Sequence, residues 1–157
     1  MAKTKQEMLE QFQALIPYVQ SLPYDEMIWN LPIAEGKWNL KEMVCHLMKW
    51  DQYFYEEAIH KITLNEPLTA KHLHFDEFNA NASAYAKTQT VKDIVQQWIE
   101  WRNKLIDDIS ALDEEQFTKA YQDGEGKKFS VKSYLRSFIS HDKHHKKQIE
   151  QLLKRIA

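Results

Sequence analysis

Residues 140–148 read Ser-His-Asp-Lys-His-His-Lys-Lys-Gln, a polar run inside the last apolar stripe of the chain. The surrounding pattern predicts a helix from Val131 to about Ile156, with Ser130 as its N-cap. His141 and His145 are four residues apart, so they lie on one face of that helix. Two imidazoles at this spacing can share a metal ion if a third ligand comes from elsewhere.

His46 is the candidate for that third ligand. It belongs to a second predicted helix, which begins after Asn39 and runs to about residue 60. At 100° per residue, His46 lies roughly 90° from the centre of its apolar stripe, and His141 and His145 lie roughly 80° and 40° from theirs. All three therefore sit at the edge of the predicted core, where helical bundles build metal sites. The alternative is that they are solvated or helix-capping histidines.

Four neighbouring side chains complete the set of candidates. Asp142 points near the core and needs a partner, because an unpaired buried carboxylate is costly. That partner is either an imidazole that Asp142 orients or a Lys or Arg on a neighbouring helix. Gln148 shares the side of the paired histidines and could hold a water or a substrate oxygen, the alternative being a surface amide. Tyr53 and Glu57 flank His46 and could supply a ligand or a proton donor.

Amphipathic periodicity predicts four long helical segments and one shorter helix. The long segments cover residues 4–21, 39–60, 91–112 and 131–156, and the shorter one covers 75–86. Pro17 predicts a kink or an early end in the first segment. Short connections between long amphipathic helices favour an all-α fold, a four-helix bundle formed by a single domain over residues 1–157.

Composition limits the classes of function. Of the 157 residues, 43% are hydrophobic, which is ordinary for a globular domain, and the formal net charge is −2. Such a charge balance gives no reason to expect nucleic acid or an acidic membrane as a partner. The polar start of the chain and the single cysteine, Cys45, predict a cytoplasmic protein.

Three stretches resemble the DinB-like (YfiT/DinB) superfamily over nearly the whole chain. Residues 36–42 together with His46 resemble the family's second helix, and residues 141–148 resemble its fourth-helix motif. Residues 75–80 are similar to a middle segment found in many members, including the ClbS/DfsB branch.

The resemblance implies a four-helix bundle in which His46, His141 and His145 bind a divalent metal, nickel or zinc. It also implies an enzyme of small-molecule metabolism, with a low-molecular-weight thiol as possible co-substrate, and frequent homodimers. We therefore expect a metal-dependent thiol transferase or hydrolase acting on a small molecule. The rival expectation is a non-catalytic protein of the ClbS/DfsB type that binds a small molecule or confers resistance to a toxin.

Overall fold

The computed structural model describes residues 3–157, which fold into nine α-helices, a π-helical segment and a small hairpin. The elements are α1 Lys5–Gln13, α2 Leu15–Gln20, α3 Glu26–Trp29, α4 Leu40–Phe54, a π-helical segment Tyr55–Ile59, α5 His60–Thr63, α6 Phe75–Ala86, α7 Val91–Ala111, α8 Glu114–Thr118, β1 Tyr121–Gln122, β2 Lys128–Phe129 and α9 Val131–Ile156. Residues 1 and 2, which the one-domain prediction includes, lie outside the described residues.

The predicted helix starts are confirmed by side-chain caps. Thr4 and Asn39 each accept a hydrogen bond from the backbone N–H three residues on, and the glutamate there closes a capping box. Thr90 and Ser130 cap α7 and α9 in the same manner, without the reciprocal bond. These local bonds fix where the long helices begin, and therefore the rotational phase of the histidines on them.

The first segment breaks earlier than Pro17 itself. Helix α1 ends at Gln13, and α2 begins at Leu15, so Pro17 becomes the third residue of a new helix. A proline has no N–H for the carbonyl four residues back and its ring clashes with that carbonyl, which here belongs to Gln13. In the first turn of α2 neither penalty applies, because the N–H groups there have no intrahelical partner.

The second segment extends beyond the predicted end near residue 60. Helix α4 continues through the π-helical segment into α5 and stops at Thr63. The stop is a Schellman motif: Asn65 adopts a positive φ of 56°, its N–H bonds the carbonyl of Ile62, and the N–H of Glu66 bonds the carbonyl of Lys61. The loop predicted from residue 61 therefore begins at residue 64.

The four-helix bundle predicted from the sequence is confirmed. Its long members are the α1–α2 pair, α4, α7 and α9, and α6 lies against α4. The most extensive helix contacts join α4 to α7 and α6, and α1 to α9 and α7. Between residues 3 and 157, no helix combines the length and apolar composition needed to cross a bilayer.

The apolar core consists of two clusters separated by a buried polar layer. One cluster contains α2, α3, α6 and the first half of α4, and the other contains α1, α8 and the first half of α9. On α4, α7 and α9, buried Asp51, Arg102 and Asp142 fall between residues of the two clusters. Because buried polar groups need partners, this layer is where a functional site is expected.

Candidate metal centre

Three imidazole rings from two helices meet in the polar layer. His46 projects from α4, and His141 and His145 project from consecutive turns of α9. The Nε2 atom of His141 lies 3.4 Å from Nε2 of His46 and 3.1 Å from Nε2 of His145. One ring nitrogen from each residue lies within 4.8 Å of the others. The juxtaposition expected from helical phase is therefore present.

Asn79 of α6 fixes the proton position on His46. Its Oδ1 atom lies 2.8 Å from His46 Nδ1 and accepts a hydrogen bond from Trp50 Nε1 at 3.0 Å. The indole N–H can only donate, so the Asn79 atom facing both rings must be its carbonyl oxygen. His46 then donates through Nδ1, and the lone pair of its Nε2 faces the other histidines.

His145 receives similar support from its own helix. Its Nδ1 lies 2.8 Å from Gln148 Oε1, so that amide oxygen accepts the Nδ1–H and leaves a lone pair on Nε2. His141 differs, because its buried Nδ1 has no hydrogen-bond partner in the part of the chain that the structure describes. Two of the three rings thus donate a hydrogen bond from Nδ1 to an amide oxygen, as metal-bound imidazoles usually do with the nitrogen that does not bind the metal.

The environment keeps the imidazoles uncharged. Burial and, to a lesser extent, the neighbouring His145 lower the pKa of His46 to about 4, against a smaller opposing effect of the Asn79 hydrogen bond. Burial and the two other rings lower the pKa of His141 to about 3. Burial also lowers the pKa of His145. Neutral imidazoles are the form that binds metal ions.

The geometry fits a divalent ion. In a tetrahedral zinc site with Zn–N bonds of about 2.0–2.1 Å, ligand nitrogens are roughly 3.3 Å apart. The two Nε2 separations of 3.1 and 3.4 Å match that spacing. Lone pairs of His46 and His145 directed at one point repel each other unless a proton or a cation lies between them. Three neutral nitrogens suit nickel or zinc, and three protein ligands leave a position for a small molecule.

Asp142 takes the second of its two predicted roles, and the expectation that it orients an imidazole is wrong. Its carboxylate binds Arg102, with Nη1 to Oδ2 at 2.7 Å and Nη2 to Oδ1 at 3.3 Å. Arg102 also binds Asp51 through Nε at 2.8 Å and Nη2 at 3.3 Å. Because Asp51 lies on α4 and Asp142 lies between the two histidines of α9, Arg102 ties together the helices that carry the three imidazoles.

Tyr53 and Glu57 hold a loop, and their side chains make no hydrogen bond to the histidines within residues 3–157. The Tyr53 hydroxyl donates to the carbonyl of Lys71 at 3.1 Å and accepts from its N–H at 2.9 Å. Glu57 accepts a hydrogen bond from the Thr69 hydroxyl. Gln148 was expected to handle a water or substrate, and its Oε1 instead supports His145.

An aromatic cavity of about 390 Å³ opens on the His46 and His141 side of the cluster. Its walls are Trp50, Phe54, Phe75 and Phe138, with Asn79 and the two imidazoles at one end. We call this space the aromatic cavity. A second cavity of about 360 Å³ lies on the His145 side, lined by Ile33, Gly36, Lys37, Trp38, His145 and Gln148. The histidine cluster therefore has a cavity on either side.

Asn79 and Arg102 were missed by the sequence interpretation, although each left a signal. Asn79 lies in the 75–80 stretch that resembles the superfamily. Arg102 lies between Trp98 and Leu105 on the apolar face of α7, where a cation requires a buried acidic partner. Asp142, a carboxylate predicted to be buried, and Arg102, a cation on the apolar face of a helix, were together the signal for this salt bridge.

The fold and site define a class of helical-bundle proteins with a three-histidine cluster in a polar layer at the bundle centre. The model of the DinB superfamily matches residues 7–149, and the chain belongs to that superfamily. The narrower ClbS/DfsB assignment stays a prediction. No curated protein matches the sequence significantly.

Solved structures that share the fold include two with TM-scores of 0.73 and 0.70. One is YfiT from Bacillus subtilis, reported as a probable metal-dependent hydrolase with an unusual four-helix bundle topology. It is 16% identical in sequence, with a TM-score of 0.73, and the match covers 99% of this chain and 90% of YfiT. The other is a mycothiol-dependent maleylpyruvate isomerase, 14% identical, with a TM-score of 0.70 over 91% of this chain. This chain spans 59% of the isomerase's length. At such identities the likeness shows the fold alone.

Proposed function

We propose that this protein is a divalent-metal-dependent enzyme acting on a small molecule, with His46, His141 and His145 as its metal ligands. The observation that carries the proposal is the convergence of three Nε2 atoms, two of them held as lone-pair donors by amide oxygens behind the rings. Metal-bound imidazoles usually donate their remote ring N–H to an oxygen in this manner, which leaves the other nitrogen free for the metal.

The chain's own residues supply positioning and exclusion of water. Asn79 holds His46 in one tautomer, Gln148 does so for His145, and Arg102 sets the separation of α4 and α9. The aromatic walls restrict solvent at the His46 and His141 edge. A divalent ion bound here lowers the pKa of a water or thiol and so provides a nucleophile near neutral pH.

Two flanking cavities support group transfer to or from a thiol more than hydrolysis. Transfer needs room for two organic reactants, whereas hydrolysis needs room for one and a water. The second cavity has Lys37 and Trp38 in its wall, so it suits a polar co-substrate that carries a carboxylate, as low-molecular-weight thiols such as glutathione do. We propose that the thiol occupies this cavity and the other reactant occupies the aromatic cavity.

Metal content is the first test. Untagged protein is purified, and nickel and zinc are determined by elemental analysis in the parent, His46→Ala, His145→Ala and His144→Ala. His144 is exposed and adjacent to the cluster, so its variant is the matched control. We expect about one ion per chain in the parent and in His144→Ala, and loss of the ion in the other two. Absence of metal and of uptake in the parent would contradict the proposal.

The reaction class is tested next on metal-loaded protein. Turnover of 1-chloro-2,4-dinitrobenzene with glutathione reports thiol transfer, and release of nitrophenol from p-nitrophenyl acetate reports hydrolysis. We expect the first activity to exceed the second and to disappear in His145→Ala. Metal binding with neither activity would favour the rival function, a small-molecule-binding protein without turnover.

A further inference from the structure

We propose that the aromatic cavity binds a flat, uncharged aromatic ring that carries one oxygen or sulfur donor facing the histidines. This inference rests on the proposed function for its polar end, because the donor faces the proposed metal ligands. The ring preference rests independently on the cavity walls.

The walls present ring edges and faces in several orientations. Trp50 lies 5.9 Å from Phe54 with near-parallel planes and 5.5 Å from Phe75 with steeply inclined planes, measured between centroids. Phe54 and Phe138 meet edge to face at 5.3 Å. Aromatic pairs in such geometries are favoured beyond the area they bury, because the positive edge of one ring faces the negative face of the other. A planar aromatic ring can make several of these contacts at once, whereas a saturated ring of equal size lacks the π system that favours them.

The lining also selects against charge. Each of four other cavities on this protein has at least one lysine in its wall. The lining of the aromatic cavity consists of four aromatic side chains, the imidazoles of His46 and His141 and the Asn79 amide, and among the described residues it includes no lysine, arginine or carboxylate. A sulfonate or ammonium group placed against the aromatic walls of the metal-free cavity would lose its hydration without gaining an opposite charge. An uncharged ligand avoids this penalty.

Phe75 gives a second, separate indication of an apolar ligand. This first residue of α6 is 54% exposed although it borders the cavity, so its ring lies half in water. Burying that exposed surface under an apolar ligand is favourable, because apolar area is removed from water. Phe75 therefore acts as part of the cavity mouth that a bound ring would cover.

The other end of the cavity is polar. His46 and His141 form it, next to the Asn79 amide. A hydroxyl, carbonyl or thiol on the ring is the group that these nitrogens, or an ion held by them, would contact. The class of ligand is thus a phenol, an aryl ketone or an aryl thiol of one or two rings, in keeping with a cavity of about 390 Å³.

Equilibrium dialysis with four probes of one skeleton tests this class. The probes are 2-naphthol, naphthalene, the saturated 2-decalol and naphthalene-2-sulfonate, each with zinc-free and zinc-loaded protein at pH 7. In zinc-free protein we expect 2-naphthol to bind roughly tenfold more tightly than 2-decalol, and the sulfonate to bind most weakly. Zinc should strengthen the binding of 2-naphthol and leave that of naphthalene unchanged.

Phe75→Ser is the diagnostic variant, and Met27→Ser is its control. Both residues are exposed, Met27 at 76%, so neither change should unfold the protein, and Met27 lies on α3 outside the cavity walls. We expect Phe75→Ser to weaken the binding of 2-naphthol roughly three- to tenfold. Met27→Ser should leave it unchanged.

Failure of this inference is distinguishable from failure of the proposed function. Equal affinities for 2-naphthol and 2-decalol, or no effect of Phe75→Ser, would overturn the inference even if zinc binds. Zinc uptake that does not strengthen the binding of 2-naphthol would overturn the placement of the donor. If the protein takes up no metal but zinc-free protein keeps the ring preference, the proposed function fails and the ring-binding cavity stands.

Discussion

Replacing Arg102 with methionine tests the polar layer on which the site is built. The guanidinium is fully buried, and it uses five hydrogen bonds to bind Asp51, Asp142 and the carbonyl of Phe12. The Cζ atom of Arg102 lies 3.8 Å from the centroid of the Phe12 ring. Methionine fills much of the same apolar volume and can contact that ring, but it supplies no charge and no donor.

The expected loss of stability follows from the two carboxylates that remain buried after the substitution. Asp51 is fully buried and Asp142 is 5% exposed, so two carboxylates lose the buried cation that they share. Removing one partner of a buried ion pair costs about 3–5 kcal/mol. With two carboxylates affected, we expect the free energy of unfolding to fall by about 5 kcal/mol, a large part of the total of about 5–15 kcal/mol for a protein domain.

The pKa of Asp51 determines how the stability deficit of Arg102→Met changes with pH. Burial raises the pKa of Asp51 to about 6, although Arg102 opposes the rise. Without Arg102 that pKa rises further above its unfolded value near 3.8. A group whose pKa is raised on folding stabilises the folded state at low pH and loses that contribution as the pH rises through the folded value. The deficit of Arg102→Met should therefore be largest at pH 8 and shrink at pH 5.

Urea unfolding at pH 5, 7 and 8 is the assay, with the free energy from linear extrapolation. The matched control is the triple variant Asp51→Leu, Arg102→Met and Asp142→Leu, which removes every charge of the network and should recover most of the stability. A loss below about 1 kcal/mol in Arg102→Met at pH 7 would refute the reasoning, because the burial cost of the unpaired carboxylates would then be absent.

Three further predictions concern single side chains. Asn79→Leu removes the hydrogen-bond acceptor of His46 Nδ1 and should weaken zinc binding about 10- to 100-fold. Competition with a chromophoric chelator measures this affinity. If the variant binds zinc as tightly as the parent, the His46 tautomer needs no support from Asn79. The buried Tyr134 hydroxyl has no hydrogen-bond partner within residues 3–157, so Tyr134→Phe should change the free energy of unfolding by less than about 0.5 kcal/mol or increase it. A loss above about 1 kcal/mol would reveal a bound water or other partner. Burial raises the pKa of Cys45 to about 11, so iodoacetamide at pH 8 should label the native thiol far more slowly than the urea-unfolded one, and equal rates would contradict its burial.

Most of the fold was predictable from local pattern. The caps at Thr4, Asn39, Thr90 and Ser130 lie within a few residues of the bonds they make, so sequence spacing was enough to predict the helix starts. Ends were harder. The extension of α4 to Thr63 depends on a π-helical segment and on the left-handed Asn65, and neither follows from apolar periodicity.

Four other expectations from the sequence remain predictions. The one-domain organisation, the cytoplasmic location, the homodimer and the thiol co-substrate are tested by none of the contacts within the described residues. The metal-binding role of His46, His141 and His145 is likewise a proposal, although their nitrogens lie close together.

The sequence by itself determined the helices and the phase of the histidines on them, because both depend on the repeat of a single helix and on neighbouring caps. Only the tertiary structure decided which groups meet across helices. Asn79 reaches His46 from 33 positions away, and Arg102 reaches Asp51 and Asp142 across 51 and 40 positions. Such contacts arise from packing ridges of one helix against grooves of another, which no local pattern encodes. Which side chains the Asn79 amide and the Arg102 guanidinium contact was therefore decided by the folded bundle.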